Sequence, residues 1–249
     1  LHTITTDQGI MLCSLSANGT LAVVTESDRY VAELQVLDPT RYRTVFTWLL
    51  TQDQGTPIEV AFAPDNRRFA VGTVAARDGQ LASPVDCMEI GSTTATARYT
   101  ATAGSMVLRL QWLSGSRLLA VFDTYAALLD PATGAELARY DYEGSALQGI
   151  SVQGSTVALL LSAHSGNTLA LLDTDLAPVG EIDAGNAASV TCADSEAYLI
   201  ENNTVLCYGL DGTLRWEQEY ATRPLYLLNA AEPLLFTAGR VEVLTAPAA

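Results

Sequence analysis

Two pairs of carboxylates, Asp141 with Glu143 and Glu217 with Glu219, stand two residues apart in segments that read as strands. On a strand that spacing puts both side chains on one face, and a pair of carboxylates is what glycoside hydrolysis requires. Both pairs fall at the outer rim of repeated sheets, where a solvated face accounts for them without catalysis. His164 is the only histidine within a repeat turn, flanked by Ser165, Gly166 and Asn167. No second His or Cys is near enough in sequence to complete a metal site, so an exposed loop accounts for it. His2 belongs to an N-terminal strand and reads as structural. The cysteines, Cys13, Cys87, Cys192 and Cys207, have no CxxC or metal-like spacing and read as small core residues. Cys192 and Cys207 fall on the first and third strands of one sheet, which are not neighbours, so no bridge between them is expected. A GxSxG nucleophile signature is absent. No catalytic residue, metal or cofactor is assigned on these grounds.

Charge narrows the partners. The chain of 249 residues carries a formal charge of −15, and every basic residue is Arg. With no lysine, Schiff-base and P-loop lysine chemistry are excluded. An acidic surface repels phosphate backbones and anionic lipid, so neither nucleic acid nor a membrane surface is an expected partner. Hydrophobic residues make up 49% and charged residues 16%, too apolar for a disordered chain. The longest apolar runs, Val157–Leu161 among them, are far too short to span a bilayer as a helix. Leu1 is not an initiator methionine, and a removed upstream signal peptide or membrane anchor is expected.

The elements that must position these residues are best read from Ser105–Gly144. Its four apolar runs, Val107–Leu113, Arg117–Phe122, Tyr125–Leu129 and Glu136–Tyr142, are separated by turn residues and form an antiparallel meander. In the last break Asp130 accepts a downstream backbone N–H, Pro131 presets φ, and Gly134 takes the left-handed conformation that closes the hairpin. The pattern recurs over residues 10–50, 57–102, 106–143, 147–183 and 187–220, and in shortened form over 224–246. Third-strand ends at Asp38, Gly91, Asp130, Asp173 and Asp211 fall 38 to 53 residues apart, the spacing of propeller blades. The second copy is longest, with its extra residues around Gln80–Pro84, between the second and third strands, where a hairpin can be extended without disturbing the sheet. The sixth lacks a fourth strand, and Leu1–Thr6 is expected to supply it and leave no open edge. The fold class is therefore all-β: one propeller domain, with six blades expected.

Four segments carry a resemblance. LLDPATGAELARY (Leu128–Tyr140) and YGLDGTLRWEQEY (Tyr208–Tyr220) resemble the quinoprotein-type propeller repeat. VAFAPDNRRFAVGT (Val60–Thr73) and LSANGTLAVVT (Leu15–Thr25) resemble inner strand pairs of WD40-like and bacterial surface propellers. The resemblance implies the fold, and implies an envelope protein with an N-terminal anchor, hence an extracellular or cell-surface location. Quinoprotein dehydrogenases add calcium ligands and a regular series of Trp-bearing docking motifs. This chain has three Trp, and Arg139 and Tyr140 stand at the aromatic anchor of its best repeat, so quinone chemistry is not expected. The sialidase turn is also missing; Ser16–Thr20 shares only its hairpin logic. Trp112 is expected in the core or the channel lining, and Trp48 and Trp216 between blades.

In such a propeller, the loops between second and third strands and those between blades emerge on one face. That face would carry Arg29, Tyr30, Arg77, Tyr125, His164, Asn202 and the inter-blade Arg223, with Asp28, Asp78, Asp123, Thr124, Asn167, Asn203 and Arg240 alongside. Arg with Tyr is an interface-like composition. The expected function is a non-catalytic binding or scaffold module of a bacterial envelope or secreted system, recognising a protein or glycan. The alternatives are a carbohydrate hydrolase or lyase with acids converging at the channel mouth, and a spacer between other domains.

Overall fold

The computed structural model describes residues 3–77, 79–193, 195–229 and 232–247, and every regular element in them is a β-strand. No helix there is long and apolar enough to cross a membrane. Contacts divide the chain into two compact units, Leu1–Arg139 and Tyr140–Ala249.

The first unit begins with β1 (Ile10–Leu15), β2 (Leu21–Thr25), β3 (Ala32–Leu37) and β4 (Thr44–Leu50), antiparallel and paired in chain order. Its second sheet runs through β5 (Thr56–Phe62) and β6 (Arg68–Arg77), with the short β7 (Gln80–Ala82) on the far end of β6. It continues into β8 (Val85–Glu89) and β9 (Ala97–Tyr99). The third is β10 (Val107–Ser114), β11 (Arg117–Phe122), β12 (Tyr125–Leu129) and β13 (Glu136–Asp141), whose last two residues pass into the second unit. The second unit holds β14 (Ala146–Gln153), β15 (Thr156–Ala163), β16 (Gly166–Leu172) and β17 (Pro178–Gly185), again in chain order. Next come β18 (Ser189–Ala193), β19 (Glu196–Glu201), β20 (Thr204–Gly209) and β21 (Leu214–Glu219), then the three-stranded β22 (Pro224–Leu228), β23 (Leu234–Thr237) and β24 (Val241–Val243).

Six meanders stack through their first strands: β1 meets β5 and β5 meets β10 in one unit, while β14 meets β18 and β18 meets β22 in the other. Between the first two sheets Phe46, Trp48 and Leu34 pack with Phe69, Val71 and Met88. Between the next two, Ala70, Cys87 and Tyr99 pack with Leu118, Phe122 and Tyr125. Each fully buried large side chain of this kind contributes about 1.5–3 kcal/mol of transfer free energy. Close stacking also selects small residues: a Cβ on Gly72 would come within 2.5 Å of Val107 Cγ1.

The turn after β12 follows the sequence. Asp130 Oδ1 accepts from Ala132 N at 2.9 Å, Asp130 Oδ2 from Thr133 Oγ1 at 2.8 Å, and Gly134, at φ +75°, donates to the Asp130 carbonyl. These donors hold the Asp130 carboxyl below its usual pKa, the Ala132 N–H most strongly, and backbone donors do the same for Asp38. Because such bonds are local, they recur after other third strands: Asp173 Oδ1 accepts from Asp175 N and Ala177 N, and Asp211 Oδ1 from Thr213 N.

Other expectations are corrected. Thr3–Thr6 form no strand; Thr6 Oγ1 donates to Gln8 O at 2.9 Å, a turn-like bond, and Leu1 and His2 lie outside the described residues. The insertion after β6 does extend a hairpin, as expected: Arg77 pairs with Gln80 around Gly79 (φ +76°) to make β6–β7. Asp141 and Glu143 do not share a strand face: β13 ends at Asp141, and Glu143 sits in the following turn at φ +51°. Glu217 and Glu219 do stand together on β21, both exposed. All four cysteines are free, but Cys13 is exposed, on the β1 face that no other sheet of its unit covers. Burial pushes Cys87 and Cys192 up to about 12. Trp48 is buried between sheets, while the Trp216 ring lies tilted against Tyr198, their centroids 6.0 Å apart. Trp112, half-buried on β10, donates to Ala61 O at 3.0 Å.

Candidate functional site

The connection from Thr25 to Ala32 brings three of the expected residues, Asp28, Arg29 and Tyr30, onto an open groove of about 560 Å3. Register explains the rest of its wall. Thr25, Glu33 and Leu49 face one way across β2, β3 and β4, and Gln35 follows two residues along. The other face of the same strands carries Leu34, Val36 and Trp48, buried against the second sheet. The N-terminal stretch Thr5–Gln8 closes one side, held by Gln8 Nε2 donating to Asp28 Oδ1 at 3.2 Å, and Glu26 N donates to Gly9 O at 2.9 Å. Gln35 bridges strands, donating to Glu33 Oε1 at 2.6 Å and accepting from Thr44 Oγ1 at 3.1 Å.

The groove therefore offers one guanidinium, an exposed phenol, the partly exposed Leu49 and the carboxylates of Asp7, Glu26, Asp28 and Glu33. Sequence reasoning found its loop but missed Glu33, Gln35 and Leu49. The alternation of Glu33 and Gln35 with Ala32, Leu34 and Val36 was the signal that marks them as one half-buried row on the face away from the core.

The remaining expected residues lie elsewhere. Arg77 donates to Asp53 O at 2.6 Å at the end of β6, outside the groove lining. Asp78 lies outside the described residues. Tyr125 is not a surface residue: it is 1% exposed, stacked on Phe122 at 4.5 Å. The turn before it is only Asp123 and Thr124, pinned by Met106 N donating to Asp123 Oδ1 and by the Ser105–Thr124 hydroxyl pair, so Tyr125 opens β12 pointing inward. Its phenol meets Tyr99 Oη at 3.1 Å and accepts from Thr102 N at 3.1 Å. Tyr99 in turn donates to Glu136 Oε2 at 2.6 Å, and Arg139 grips Glu136 with two 2.9 Å bonds while lying 3.8 Å over the Tyr125 ring. Burial, then the Glu136 carboxylate, raises the Tyr99 pKa, and the Arg139 bonds lower that of Glu136.

In the second unit, His164 and Ser165 form the two-residue hairpin between β15 and β16, exposed between two shallow hollows. Asn167 beside it donates to Gln148 Oε1 and Ala187 O. Asn202, at φ +52°, opens the Asn202–Asn203 hairpin, and Arg223 is exposed before β22.

A second groove, of about 470 Å3, runs along the first strands β1, β5 and β10 of the first unit. Glu59 is the one carboxylate in its lining; burial raises its pKa and Arg109 stands 3.4 Å away. A two-carboxylate glycosidase would need a second acid there. No group of three or more His, Cys, Asp or Glu among the described residues is placed to hold a metal.

Comparisons with known proteins agree with this architecture. The model of a family of unknown function (DUF5711) matches residues 1–244. No curated protein matches the chain. Among solved structures, BamB from Moraxella catarrhalis is 16% identical with a TM-score of 0.61, covering 97% of this chain and 72% of that one. The WD40 domain of Toxoplasma gondii coronin is 12% identical at a TM-score of 0.60, over 98% and 71%. KlAtg21, solved in complex with the coiled coil of AgAtg16, is 10% identical at 0.68, over 96% and 81%. At these identities the likeness establishes the fold, a β-propeller.

Proposed function

The chain belongs to this family of unknown function and has a propeller fold, and from that premise we propose that it is a binding module holding a protein partner in the groove at Arg29 and Tyr30. The observation that carries the reading is the groove's composition on a rigid sheet. An exposed Tyr and an Arg, side chains enriched at the anchoring positions of interfaces, project beside Leu49 from a framework of paired strands. The surrounding carboxylates favour a partner that presents basic residues at its rim, and the electrostatic part of its association falls with salt. That KlAtg21 is seen bound to a coiled coil supports a protein as the ligand of a propeller of this shape. The setting proposed is the outside of a bacterial cell.

Replacing Tyr30 with a photo-crosslinking residue in the native cell tests this. The expected result is one dominant protein adduct, lost in an Arg29→Glu background while the melting temperature is unchanged. Adducts that are glycan, or an adduct pattern indifferent to Arg29→Glu, would overturn it. Antibody labelling of intact cells decides the location.

A further inference from the structure

The last sheet of the second unit is built differently from its two neighbours. The sheets β14–β17 and β18–β21 each have four strands, and their third strands are largely covered: β16 ends in four buried residues and β20 alternates buried with half-buried. Among the described residues the sheet β22–β24 stops at three, and its third strand is exposed at Val241 (53%) and Val243 (45%). Cross-strand register collects the apolar side chains on that open side. Tyr226 lies opposite Phe236, and Phe236 opposite Val241; Leu228, Leu234 and Val243 form the next row. The reverse face, with Leu227 and Leu235, is packed in the core.

Backbone direction can be read as well. Thr237 N donates to Arg240 O, and Leu244 N donates to Pro233 O, so Arg240 and Leu244 turn their polar groups toward β23. By alternation Val241 and Val243 direct their N–H and C=O groups away from it, along the free edge. Alternating with them, Arg240 and Glu242 pair with each other at 3.1 Å and stand on the opposite face from the valines.

We propose that β24 is a strand-addition site: it takes an extended segment of another protein as an antiparallel fourth strand. The repeat itself says what is missing, since the neighbouring sheets show a single antiparallel strand in that place. Main-chain hydrogen bonds to Val241 and Val243 supply the attachment, and side chains opposite each edge residue supply the selection. Read from the partner's N-terminus against Val243, Glu242, Val241 and Arg240, the complementary segment is apolar, basic, apolar, acidic. This inference is independent of the Arg29 groove.

The test uses the isotope-labelled full chain and a short synthetic peptide containing Val-Lys-Val-Glu. Binding is expected to slow amide exchange at Val241 and Val243 by about tenfold or more at saturation, with little change at Leu235, whose strand is already paired. A peptide containing Val-Glu-Val-Lys should bind about fivefold more weakly. In the double variant Arg240→Glu with Glu242→Arg, which preserves the pair in reversed order, the preference should invert. Absence of slowing with either peptide would overturn the proposal. So would protection that rises with protein concentration and needs no peptide, since the edge would then be taken by a second copy, and so would a preference that does not invert.

Discussion

Two arginine–tyrosine pairs of the first unit, Arg29 with Tyr30 and Arg139 with Tyr125, look alike in composition and do opposite things. The first stands in solvent on a groove; in the second, the guanidinium caps a buried ring and ties it outward to Glu136. What separates them is the chain on either side. A two-residue turn, fastened by Asp123 and Thr124, forces Tyr125 to begin a strand between two packed sheets. The longer connection from Thr25 to Ala32 leaves Tyr30 outside, at the rim of a sheet face on which no other sheet of its unit packs. Residue type thus set the chemistry available, and loop length with stacking set whether it became interface or interior.

The contrast breaks most decisively at the tyrosines. Tyr125→Ala opens a cavity and strips partners from Tyr99 Oη and Thr102 N, so it should destabilise by about 3–5 kcal/mol. Tyr30→Ala should stay within about 0.5 kcal/mol. Paired urea titrations measure both, and comparable losses would mean that Tyr30 is packed.

The next effect concerns the wall that holds the interior pair in place. Gly134 has φ +75°, and a Cβ there would lie 2.4 Å from Arg98 O, on the residue before Tyr99. Gly134→Ala should therefore cost about 1–3 kcal/mol. It should also weaken protection of the Tyr99 amide against hydrogen exchange, while the amides of the Arg29 loop stay as they were. Gly91 (φ +99°) has nothing within 4 Å of its added Cβ, so Gly91→Ala carries only the backbone term, about 1 kcal/mol.

Much of this was legible. The Asp130–Gly134 and Asn202–Asn203 turns, the meander order and the repeat spacing follow from local chemistry that a sequence displays directly. Features decided by distant neighbours were not legible. Cys13 and Cys87 are alike in sequence, yet Cys87 is buried between two sheets of its unit and Cys13 is exposed. The sixth copy was legible as one strand short, but the exposure of Val241 and Val243 shows only once Thr3–Thr6 are seen to form no strand. Glu33, Gln35 and Leu49 joined the groove through cross-strand register, which pairs residues far apart in the chain. The site was therefore readable where one loop builds it and hidden where three strands do.

The smallest expected effect is a dependence on pH. Arg139, then Tyr99, hold Glu136 below its ordinary 4.5, so the folded state favours the carboxylate. A depressed folded pKa contributes stability that is present above the unfolded value and lost as pH falls through the folded one. Because the Arg139–Glu136 pair is partly exposed, solvent screening limits its share to about 0.5–1 kcal/mol. Glu136→Gln should thus be slightly less stable than the wild type at pH 7, and the gap should close as pH drops below 4.5. Arg29→Ala, which removes a cation with no such carboxylate grip, should run parallel to the wild type throughout. A gap at Glu136 that widened in acid would mean that the Tyr99 and Arg139 bonds favour the protonated acid, and the buried pair would then be held by ring packing alone.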